Sequence, residues 1–167
     1  MANTYVQIGS TVTVGALGAA TMAFTSIPAT YTDLLLKFSA RDTSSFIANN
    51  IVLTINGSAV TSTKNLYGNG STTTSNSNVG AGLANAANST ASVFSNTEIY
   101  FPNYASANNK TFSTDSVVEN NATEAYDWFY AGLWSNSAAI TSLTLTAGSS
   151  ASFVQYSTAT LYGILKT

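Results

Sequence analysis

Residues 24–57 read FTSIPATYTDLLLKFSARDTSSFIANNIVLTING, and their middle alternates with a period of two. Leu34, Leu36, Phe38 and Ala40 fall on one side; Asp33, Lys37, Ser39 and Arg41 fall on the other, broken only by Leu35. That pattern belongs to a strand with one buried face. Ile51, Leu53 and Ile55 repeat it against Val52 and Thr54, and Asn56-Gly57 supplies a tight turn. Two long strands separated by a polar segment thus form the expected heart of an all-β domain.

The rest of the composition agrees. The chain has 167 residues, enough for a sizeable core, and 45% are hydrophobic but only 7% charged. Ser, Thr, Asn and Gly replace the missing charge, a mixture that favours strands and turns over helices. Nine Tyr, eight Phe and two Trp need burial, which argues against disorder. A net charge of −2 without any basic run makes nucleic acid an unsuitable partner. So few charges solubilise a surface weakly, a property tolerable where other subunits cover it. The start, Met1-Ala2-Asn3-Thr4, lacks the positive region of a secretory signal, and the apolar-leaning residues 12–24 are too short to span a bilayer, so no membrane partner is expected.

Along the chain, residues 1–20 read either as a glycine-rich N-terminal arm or as a first hairpin, and 21–167 as the β-sandwich domain. Residues 5–8, 11–14 and 21–27 are short strand patterns, the last ended by Pro28. Residues 58–90 are of low complexity; 71–78 are polar without an apolar anchor and read as an exposed loop, and 79–87 as a weak strand. Strands are expected again at 97–101, 110–119, 126–134, 140–145, 153–156 and 160–164. Eight to ten strands with regular turn signals predict an antiparallel, jelly-roll-like β-sandwich.

Chemistry is restricted by two absences. Without Cys there are no disulfides or thiolate metal sites, and without His no Ser-His or Cys-His device. None of the five bases stands in a Ser-x-x-Lys context. The acids offer a carboxylate pair for glycoside hydrolysis: Asp115 and Glu119 share a strand face, joined by Glu98 if 97–101 pairs with 112–119. Calcium would use the same acids, but no EF-hand-like loop or Gly-Asp repeat supports it. Against both stands a structural ion-pair network of Lys37, Arg41, Glu98, Asp115 and Glu119, an ordinary use of outward-facing charges. No cofactor is expected. Trp128, Tyr130 and Trp134 share one face of the aromatic run YDWFYAGLW (126–134), either as a glycan platform or as packing against a second sheet or a partner.

Several stretches in order, FTSIPATYTDLLLKFSARDT (24–43), LYGNGS (66–71), EIYFPNYASANNKTFSTDSVVENNAT (98–123), AGLWSNSAAITSLTLTAGS (131–149) and FVQYSTATLYGI (153–164), resemble small virion structural proteins of tailed phages, especially those of cyanobacteria and marine bacteria. The resemblance spans residues 5–164. It implies a jelly-roll-like sandwich on the outer capsid surface, bound as a homotrimer to the major capsid protein as a decoration or cement protein, with no enzymatic role. The alternative within the same group is a tail-fibre module that reads host surface glycan. The family supplies no catalytic residues.

Overall fold

The computed structural model describes residues 4–77, 79–121 and 124–165. Expectations falling on 1–3, 78, 122–123 and 166–167 lie outside the described residues. The described residues form fourteen strands and no helix. The larger sheet runs, in spatial order, β1 (Tyr5–Gln7), β14 (Thr158–Ile164), β4 (Asp33–Ser39), β10 (Asn96–Phe101), β11 (Lys110–Glu119), β12 (Ala125–Trp134), β7 (Ser62–Gly68) and β8 (Thr73–Asn76). A ninth strand, β2 (Val12–Thr13), also pairs with β14. The smaller sheet runs β3 (Thr21–Phe24), β13 (Leu143–Ala147), β5 (Ala48–Ile55) and β6 (Ser58–Ala59), with β9 (Leu83–Asn85) also on β5. Every ladder between these strands is antiparallel, so the fold is an all-β sandwich. Eight strands have five or more residues; the others are short pieces of two to four.

Alternation drives the sandwich together. Leu34, Leu36 and Phe38 of β4, Ile99 and Phe101 of β10 and Leu161 of β14 face Ile51, Leu53 and Ile55 of β5, Leu143 and Leu145 of β13 and Met22 of β3 in one core. Their partners in sequence point outward, which gives β11 its strict buried–exposed pattern over ten residues. The two long strands within residues 24–57 both contribute to this core but from opposite sides: β4 belongs to the larger sheet and β5 to the smaller, and residues 40–47 carry the chain across. Asn56 and Gly57 turn the β5–β6 hairpin with φ of 49° and 80°, as a two-residue turn with both central residues left-handed requires. The Asn56 side chain then does a second job: Oδ1 accepts the N–H groups of Thr141 (2.8 Å) and Ser142 (3.0 Å), and Nδ2 donates to Ala139 (2.7 Å).

Three details differ from the pattern read above. β1 and β2 each pair with β14 and not with one another, which knits residues 5–13 into the larger sheet. The low-complexity region holds four strands, including the edge strand β8 inside the polar tract; β7 pairs one side of its backbone and the other side faces outward at the sheet edge, so it is held without an apolar anchor. Residues 153–156 form no strand; Phe153 makes isolated bridges to Ala19 and Asp42 and is buried beneath them.

Candidate functional site

The outward charges come together only in part. β10 pairs with β11 so that Glu98 stands opposite Asp115, and with β4 so that Glu98 also stands opposite Lys37. Lys37 Nζ lies 2.5 Å from Glu98 Oε1, and this bond raises the lysine pKa. Among the described residues Asp115 has no cation of its own. Burial by its neighbours, then the Asp127 carboxylate diagonally across on β12, then Glu98, push its pKa up. Glu119 turns away to accept the backbone N–H of Asn121 at 2.7 Å. Arg41 leaves the expected network entirely: its guanidinium donates to the carbonyls of Thr90 (2.7 Å), Val93 (3.1 Å) and Ser89 (2.9 Å), clasping the 87–93 loop. The network of five therefore contracts to one ion pair with an acidic neighbour. The reason is position, since Arg41 lies beyond the end of β4 where loop carbonyls are nearer than any carboxylate.

The aromatic run divides in a similar way. Tyr130 and Trp134 are buried, so three rings do not form an open row. Tyr130 donates to Asn50 Oδ1 at 3.3 Å, and burial drives its hydroxyl pKa upward. Trp134 packs near Lys110, whose ammonium lies 5.8 Å from the ring centre. Lys110 is itself 1% exposed and is held by four carbonyls, those of Ser106 (2.5 Å), Asn108 (2.7 Å), Ala138 (2.7 Å) and Ser137 (3.1 Å). Burial lowers its pKa, while the four carbonyl dipoles act to keep the charge. Sequence reading gave no hint of this cage, because its acceptors are all main-chain.

Trp128 is different, being only half-buried. A five-stranded sheet does not cover a nine-stranded one, and the inner face at the start of β12 and the end of β7 is left partly open. There Trp128 and its register partner Tyr67 stack with centroids 4.3 Å apart and planes at 12°, and Tyr130 continues the stack at 5.6 Å. Tyr126, two residues earlier on the same face, donates to Glu124 Oε2 at 2.6 Å; that bond, with burial, pushes its pKa up to about 12. Facing these rings are Phe46, Asn49, Asn50 and Ser149, and together the two walls enclose a cleft of about 490 Å³.

The wall opposite the rings is braced from behind. Asp42, buried, accepts the N–H (2.9 Å) and hydroxyl (2.7 Å) of Ser44 and the Asn49 amide (2.6 Å), which also donates to Gly148. Trp128 Nε1–H, by contrast, is buried without an acceptor among the described residues. Of the cleft, only Trp128 stands among the residues singled out from sequence. Tyr67 falls in the low-complexity region and Phe46 in the polar segment between the two long strands, and nothing local announces that they meet.

Among the described residues no group of three or more acids could hold a metal ion, and no helix is long and apolar enough to cross a membrane. No protein-family model matches the chain, and neither the curated proteins nor the solved structures compared with it give a match.

Proposed function

We propose that this chain is a non-enzymatic virion structural protein, a decoration protein that binds the major capsid protein of a tailed phage head as a homotrimer. The observation that carries the reading is the outward face of the larger sheet. Leu66 and Phe129, each 49% exposed, are register partners on β7 and β12, with Val117 diagonal to Phe129 on β11 and Leu133 further along β12. Side chains of this kind on a flat sheet face are what association buries. The resemblance of residues 5–164 to virion structural proteins points to the major capsid protein as a partner, and a chain with only 7% charged residues suits a protein covered by neighbours. Attachment to the assembled shell, and not to its separated subunits, stabilises the shell by mass action.

The test is a count of copies in purified particles by quantitative mass spectrometry, with an image reconstruction to place them. On the order of hundreds of copies on the head are expected for a subunit repeated over a symmetric lattice. A chain absent from particles, or confined to the tail, would overturn the reading.

A further inference from the structure

We propose that the cleft between the open end of the larger sheet and the start of β5 is a carbohydrate-binding site that takes a neutral oligosaccharide. The site goes beyond the capsid reading and does not depend on it. Its walls differ in chemistry in a way that selects the ligand. One carries the rings of Tyr67, Tyr126 and Trp128; the other carries Phe46, more than half exposed, together with Asn49, Asn50 and Ser149. Aromatic surface takes the C–H face of a pyranose, while amide, hydroxyl and carboxylate groups take its hydroxyls. Asn50, Glu124 and Ser149 each already make one hydrogen bond within the cleft wall, and a wholly apolar ligand would desolvate their remaining polar capacity, a penalty a polyol avoids. Among the described residues no Lys or Arg lines the cleft, and Glu124 does, so anionic ligands are disfavoured. The volume of about 490 Å³ falls within the range of small-ligand sites.

The cleft is also pre-arranged. Tyr67 is fixed by its stack on Trp128 and Tyr126 by its bond to Glu124, so little ring entropy remains to be lost on binding. Because the flat faces of Trp128 are occupied by Tyr67 and Tyr130, contact with sugar falls to Tyr67, Tyr126 and Phe46, with Trp128 as backing. Its unpartnered Nε1–H is the polar group most ready to respond when an acceptor arrives or the stack shifts.

That makes the experiment direct, since the chain has two tryptophans and hence two indole N–H signals. These are assigned with Trp134→Phe in the full-length protein and followed in ¹⁵N–¹H spectra. The probes are oligomers of α- and β-linked glucose, of N-acetylglucosamine and of mannose, with a proline-rich peptide as the contrasting ligand. At least one sugar is expected to move the Trp128 signal saturably, with Kd between about 10 μM and 1 mM, and to leave Trp134 in place. Phe46→Ala, at an exposed position outside the strands, and Glu124→Gln should each weaken that sugar about tenfold. A Trp128 signal unmoved by every sugar, moved only by the peptide, or moved equally in both variants would overturn the proposal. None of these outcomes bears on the copy number in particles, so the two readings fail separately.

Discussion

Single side chains here are settled by what lies within reach of a strand end or a diagonal neighbour. Arg41 and Lys37 alternate onto the same side of one sequence pattern, yet one binds carbonyls and the other a carboxylate. The Lys37–Glu98 pair is nearly half exposed on both sides, so its worth is below about 1 kcal/mol. Asp115 carries the more informative charge. Its pKa is raised, so the protonated carboxyl is favoured by folding. The stability this lends is complete below the unfolded value near 3.9 and is lost as pH rises through the folded one. Asp115→Asn does not titrate and should therefore unfold at a higher temperature than the parent at pH 7. The gain, well under about 1 kcal/mol for so exposed a group, should vanish at pH 3.5. Thermal unfolding at the two values checks it; a parent more stable than the variant at pH 7 would contradict the assigned repulsion from Asp127 and Glu98.

Among the strands, β12 depends most on a residue that looks like a flaw. Gly132 sits opposite Phe112, and a Cβ placed on it would come 2.0 Å from the Phe112 ring. The far end of the ring covers the glycine and fills the space that a side chain would take, a known way of rescuing glycine in a sheet. Gly132→Ala should cost about 1–3 kcal/mol by forcing Phe112 out of its place in the core. Urea unfolding measures this, and a second change, Phe112→Leu, should cost less in that background than alone. Strands such as β4 can be read directly, because Leu34, Leu36 and Phe38 alternate with Asp33, Lys37 and Ser39 and the buried side follows that alternation. β8 cannot: an edge strand of Thr, Ser and Asn carries no apolar alternation, and its existence rests on main-chain bonds to β7. The cleft was readable to a single residue for a related reason. Trp128, Tyr130 and Trp134 have the same parity on β12, and what separates the half-buried ring from the buried two is where the smaller sheet stops, which no local pattern encodes.

At the scale of the molecule, β12 divides two surfaces. Phe129 points outward beside Leu66 and Val117, while Tyr126 and Trp128 point inward toward the cleft. Neighbours in sequence thus serve opposite faces of one sheet, and a change to one face need not touch the other. Leu66→Ser with Phe129→Ser removes an exposed apolar register pair that lies outside the core, so the fold and both indole signals should persist. If the outward face is the attachment surface, the double variant should bind particles stripped of the protein at least about tenfold more weakly, a loss of about 1.4 kcal/mol. Self-association measured by sedimentation should fall with it only if copies meet through the same face, which separates capsid contact from trimer contact. Phe46→Ala, on the far side of the sheet, is the control and should leave both unchanged. Particle binding that survives loss of Leu66 and Phe129 undiminished would move attachment elsewhere on the molecule, and the outward face would then be plain solvent-facing sheet.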